Sequence, residues 1–176
     1  MKYFLIGTEL NNNPAPNILD WHKQVDYRDI TPERVGNIPA WTMLAIDNGA
    51  EAIFSDVLNM PSFLVSPMVH GVLRLYDPYI QGRRMILKDK LTRVEEEYFL
   101  PIFPAYDCLL PESELNRDKS KIIHGVIDLE QTRRRPFFKM GGVSNTHIAF
   151  RLDVVESILR RGAKGIKLSE LEIREV

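Results

Sequence analysis

The chain has 176 residues, 44% apolar and 27% charged, with a formal net charge of −1. That balance excludes a disordered tail, and the missing basic field argues against nucleic acid or an anionic membrane surface as partner. A single cysteine, Cys108, excludes an intrachain disulfide and a thiolate-rich zinc site, so a reducing cytoplasm is the expected setting.

Met1 to Ile6 is an apolar run that Gly7, Thr8 and Glu9 interrupt. It is too short for a signal-peptide core or a membrane span and predicts a buried first strand. No later apolar run reaches spanning length. Residues 11 to 50 read as an irregular arm, because Asn11-Asn12-Asn13, Pro14, Pro16, Pro32 and Pro39 cut regular structure into short pieces. Short helical turns are expected from Asn17 and from Thr31-Pro32-Glu33, with Trp21 and Trp41 pinning the arm down. Trp41 to Ile46 fits a strand or a helical turn, since so short an apolar run does not settle its own period. Asp47-Asn48-Gly49 predicts a turn.

Phe63-Leu64-Val65-Ser66-Pro67 is the best-punctuated stretch. The Ser66 hydroxyl suits an N-cap and Pro67 suits the first helical position, while Pro78 cannot continue a helix. Met68, Val69, Val72, Leu73 and Tyr76 then share one helical face. After a turn at Gln81-Gly82, Arg84 to Lys88 predicts a strand. Thr92 to Glu97 reads as a solvated turn or edge, and the prolines in Tyr98 to Pro104 predict an edge or bulged strand. Ile122 to Leu129 predicts one strand with Ile123, Ile127 and Leu129 on one side.

Phe137 to Met140 and Thr146 to Phe150 predict a hairpin around a five-residue loop. Asp153, with Glu156 three residues later, predicts the cap of a second helix striped by Val154, Val155, Ile158 and Leu159, and Gly162 predicts its stop. Gly165 to Leu168 predicts a terminal strand. Together these elements predict one α+β domain over residues 1–176: a mixed or mainly antiparallel sheet with two short packed helices and an irregular Pro-rich N-terminal third.

Motifs for chemistry are sparse. The isolated histidines His22, His70, His124 and His147 have no second ligand at short spacing, so no metal is expected, and no cofactor-binding loop is present. Cys108 lies beside Asp107, which opposes thiolate formation, and reads as a buried small hydrophobe. Arg133-Arg134-Arg135 is the sharpest local charge and fits a solvated turn or a contact with an acidic protein partner. Glu95-Glu96-Glu97 fits a solvated face. An alternative reading, a small-ligand binder or enzyme, would draw its site from Asp56, His70 and His124 converging in three dimensions.

From residue 50 to 176 the order of features resembles a family of bacterial immunity proteins of polymorphic toxin systems, typified by a Myxococcus member. The resemblance is carried by Leu64-Val65-Ser66, Tyr98-Phe99-Leu100, Asp107-Cys108-Leu109 with Ser113, Ile127-Asp128-Leu129, Pro136-Phe137-Phe138-Lys139, the helix after Asp153, and Gly165-Ile166-Lys167-Leu168. The chain departs from the family pattern at Pro101, where a polar asparagine is usual, and at Leu110, where aspartate repeats. The resemblance implies no catalytic residue and no cofactor. It implies a cytoplasmic protein that neutralises a cognate toxin by binding it, with no role for nucleic acid or membrane. The surfaces nominated for that contact are Arg133, Arg134 and Arg135, the Glu95, Glu96 and Glu97 segment, and the arm around Trp21.

Overall fold

The computed structural model describes residues 1–175, and Val176 lies outside them. In chain order the first half contains β1 (Tyr3–Thr8), α1 (Trp21–Gln24), β2 (Trp41–Ile46), β3 (Val57–Leu58), β4 (Leu64–Val65), α2 (Pro67–Tyr76), β5 (Gln81–Asp89) and β6 (Glu95–Ile102). The second half contains β7 (Ala105–Tyr106), β8 (Glu114–Leu115), β9 (Ile122–His124), β10 (Val126–Asp128), β11 (Phe137–Met140), β12 (Ile148–Arg151), α3 (Leu152–Arg160) and β13 (Ile166–Arg174). One sheet has the order β2-β5-β6-β4-β3, a second the order β10-β13-β1-β12-β11-β7, and β8 pairs with β9. Most pairings are antiparallel, whereas β2–β5, β10–β13 and β7–β11 are parallel, so the fold is α+β with mixed sheets.

The two long helices pack on each other and join the sheets. In α2, the Ser66 hydroxyl accepts from the Val69 amide at 3.4 Å and donates to Asp56 Oδ1 at 2.6 Å. Asp56 Oδ2 accepts from the Lys164 amide at 2.7 Å, so one carboxylate holds both the helix cap and the turn before β13. Val69, Val72 and Leu73 are buried as the stripe predicts. The start of α3 differs from expectation. Arg151, not Asp153, occupies the capping position, and no side chain caps the helix. Asp153 instead accepts two hydrogen bonds from the Arg151 guanidinium, at 2.7 and 2.8 Å. A forked ion pair of this kind outcompetes a single cap bond, and it still leaves an acid in the first turn, where the helix dipole favours it. The Tyr76 hydroxyl donates to the Asp153 carbonyl at 2.8 Å and ties the helices together. Gly162, at φ +79°, ends α3 as expected.

Three cores follow from this arrangement. Between the sheets, α2 and α3 meet Ile6 and Phe150 from one sheet and Val57 and Val65 from the other. Phe103 packs edge-on against Phe137 and Phe63, with ring centroids 5.4 and 5.8 Å apart. On the far side of the five-stranded sheet, Trp21, Val25, Val35 and Ile38 of the arm cover Leu44, Met85, Leu87 and Leu100. On the far side of the six-stranded sheet, Cys108 and Leu129 cluster with Tyr3, Ile127, Phe138 and Leu171 of its strands.

Several local expectations are corrected. Gln81 and Gly82 open β5 rather than forming a turn, because the reversal is made earlier, by the Ile80 amide donating to the Asp77 carbonyl. Glu95 to Glu97 belong to β6, not to a turn. That strand is interior, lying between β5 and β4. It tolerates Pro101 because β4 pairs with it only at Phe99, and past that point its second side is open. The strand expected over 122–129 is broken at Gly125: β9 pairs with β8 while β10 pairs with β13. The break changes the parity, so Ile123 is exposed while Ile127 and Leu129 are buried. Asn17 starts no helix, since Ile18 forms a bridge with Ile46 and the helical turn begins at Trp21. The hairpin is present as β11–β12, with β12 starting at Ile148, two residues later than expected.

Candidate functional site

Strand β2 alternates between two fates. Thr42, Leu44 and Ile46 are buried under the arm, whereas Trp41, Met43 and Ala45 point to the opposite face. Trp41 is 58% exposed and Met43 43% exposed. Trp41 is therefore not an anchor of the arm, as the sequence suggested. The run is apolar on both parities, so periodicity identifies two faces without telling which one is covered.

Register extends this face across three strands. Trp41 lies beside Arg84 and Phe99, Met43 beside Ile86 and Glu97, and Ala45 beside Lys88 and Glu95. Arg84 donates to Glu97 through Nε at 2.7 Å and Nη2 at 3.3 Å, and Lys88 Nζ lies 3.2 Å from Glu95. These cross-strand pairs fix long side chains upright beside the apolar row, although exposed pairs of this kind add little stability. Helix α2 covers the β6–β4–β3 side of this face, over Val57, Val65 and Phe99, where His70 stacks on the Phe99 ring with centroids 4.1 Å apart. Burial, and secondarily the Arg74 charge, hold the His70 pKa below its ordinary value.

The strand edge is also half closed. The Ala45 carbonyl accepts from the Leu19 amide at 2.9 Å, and its amide donates to Asp20 Oδ1 at 3.0 Å. Among the described residues no strand pairs beyond β2 at Trp41 and Met43. The result is an open aromatic and thioether surface, rimmed by paired charges, on a rigid sheet. Cores of protein interfaces are enriched in these residue types.

The residues nominated from sequence are dispersed. Glu95 and Glu97 border this face, while Glu96 has the opposite parity. Trp21 is 3% exposed and packs under the arm, so it anchors the arm and offers no open contact surface. Arg133 to Arg135 form a turn far along the other sheet, with Arg133 and Arg134 both at φ +51°. Thr132 braces it from inside: its hydroxyl donates to the Leu129 carbonyl at 2.7 Å and accepts from the Arg134 amide at 3.2 Å. The three guanidiniums diverge in role. Arg133 lies 5.8 Å above the Tyr106 ring, Arg134 pairs with Glu130 at 2.7 Å, and Arg135 enters no ion pair among the described residues.

Asp56, His70 and His124 do not converge. Asp56 braces α2, His70 stacks on Phe99, and His124 lies 3.2 Å from Glu172 on the surface of the other sheet. Cys108 is buried, and its thiol is pushed up to about 12 mainly by that burial. Among the described residues no group of three His, Cys, Asp or Glu is placed to hold a metal ion, and no helix is long and apolar enough to cross a membrane.

Comparison with known protein families and with curated proteins finds no match for the chain.

Proposed function

We propose that the chain is a cytoplasmic immunity protein that binds and neutralises the toxin encoded beside it, as the non-catalytic member of a bacterial polymorphic toxin pair. The observation that supports this most is the open face around Trp41. An exposed tryptophan, a flanking methionine and an arginine held by Glu97 make a contact patch whose energy is realised only when a partner excludes water. The order of short motifs from Phe63 to Leu168, which resembles the immunity family, supplies the kind of partner.

In this reading inhibition is stoichiometric, with the sheet as a rigid platform. Trp41 and Met43 enter an apolar recess of the toxin, and the Arg84–Glu97 and Lys88–Glu95 pairs set orientation at the rim. The test is co-expression with the product of the neighbouring gene. Growth restored by the wild-type chain, together with co-purification of the two proteins in a one-to-one complex, is the expected result. A neighbour that is not toxic, or that is never retained by the chain, would remove the reading.

A further inference from the structure

A second feature stands apart from the Trp41 face. Between the arm and the β11–β12 loop lies a cleft of about 330 Å³. Its floor is apolar, with Trp21, Phe63, Leu100, Phe103 and Ile148 drawn from both sheets and the arm. Its rim is polar, with His22 and Tyr27 on the arm side and Ser144, Asn145 and Thr146 on the loop side. Among the described residues no aspartate or glutamate lines it, and Lys139 does.

Lys139 is out of character with its position. It sits on β11 opposite Ile148, and two residues earlier Phe137 sits opposite Phe150. Phe137, Ile148 and Phe150 all belong to the core between the sheets, so the strand turns a lysine toward a side otherwise filled by apolar groups. The residue is only half-buried, at the point where that core opens into the cleft. Among the described residues the lysine ion pairs are Lys2–Glu170 and Lys88–Glu95, and Lys139 has none. Glu33 lines a neighbouring cleft that Lys139 also borders, yet the two form no ion pair.

We infer that this cleft binds a small organic anion, with the apolar body on the aromatic floor and the carboxylate against Lys139. An ammonium drawn partly out of water is stabilised by a counter-charge, and an anionic ligand supplies one through a charge-assisted hydrogen bond. The volume lies at the small end of ligand sites, roughly 300 to 1,000 Å³, which suits an aryl or short alkyl carboxylate. This inference uses none of the residues of the Trp41 face and stands or falls separately from the immunity reading.

The test uses three probes of one shape: indole-3-propionate, its neutral amide, and the cation tryptamine. Each is titrated into the full chain and followed by amide chemical shifts. The expected result is saturable binding of the acid with shifts in the 143–146 loop, about tenfold weaker binding of the amide, and weakest binding of the amine. Lys139→Met should bring acid and amide to equal affinity while the thermal midpoint shows that the chain is folded. Asn145→Trp, at an exposed loop position, should block all three probes by filling the mouth. Equal binding of the three probes, no saturable binding, or a preference for the acid that survives Lys139→Met would overturn the inference.

Discussion

The two faces of the five-stranded sheet carry similar apolar residues and meet opposite fates. Leu44, Met85, Leu87 and Leu100 are sealed beneath the arm, while one parity away Trp41 and Met43 stand open beside a half-buried Ile86. The difference lies in what covers them. The arm brings Trp21, Val25, Val35 and Ile38 to one face, whereas on the other α2 covers Val57, Val65 and Phe99 and leaves Trp41 and Met43 on β2 open. Apolar area left in water contributes little to the fold's stability, and the proposed partner contact would be where that area is withdrawn from water.

The largest break between the faces should come from a matched pair of truncations on one strand. Leu44→Ala removes a fully buried side chain and should cost about 3 kcal/mol, whereas Met43→Ala should cost about 0.5 kcal/mol or less. Urea denaturation midpoints measure both. Equal costs would mean that the outer face is part of the folding core.

Next in size is the cap of α2, the helix that packs on Phe99. Ser66→Ala loses the acceptor for the Val69 amide and the donor to Asp56, and should cost roughly 1 to 2 kcal/mol in the same assay.

On the sealed face, the Tyr98 hydroxyl donates to the Ser55 carbonyl at 2.8 Å. Tyr98→Phe should cost about 1 kcal/mol. Burial pushes the Tyr98 pKa well above its ordinary value, so the folded chain keeps the proton that the unfolded chain releases near pH 10. Stability contributed by this group is therefore present below about pH 10 and lost as the pH rises beyond it, and Tyr98→Phe should flatten that alkaline limb of the thermal midpoint.

The smallest effect belongs to His70 at the covered corner of the open face. Its folded pKa is depressed, so the fold favours the neutral ring. Stability is then fully present above the unfolded value near 6.5 and falls as the pH drops below it. His70→Phe keeps the stack on Phe99 and should remove this acid limb. Persistence of the limb in the variant would assign it to other groups.

Much of the fold is legible in the residues because local chemistry decided it. Ser66-Pro67 and Gly162 set helix ends through a cap bond, a fixed φ and a left-handed stop, and each acts within a few residues. What escaped the sequence was decided by which partner each group found. The Arg151–Asp153 fork displaced the expected cap, and Gly125 split one apolar run between two different partner strands. The open face escaped for a related reason. Trp41 and Trp21 are the same residue type in similar surroundings, and only the path of the arm buries one and leaves the other exposed. Lys139 gave a usable signal, a cation at a strand parity shared with Phe137, but only the folded sheet shows that among the described residues it has no ion pair.

The proposed contact is tested by calorimetric titration of the product of the neighbouring gene, the proposed toxin, with the wild-type chain and with Trp41→Ala, alongside their thermal midpoints. Affinity should weaken by about thirtyfold or more in the variant, as for an interface anchor contributing about 2 kcal/mol or above, at an unchanged midpoint. Unchanged affinity in a folded Trp41→Ala chain would contradict the assignment of this face as the contact that neutralises the toxin.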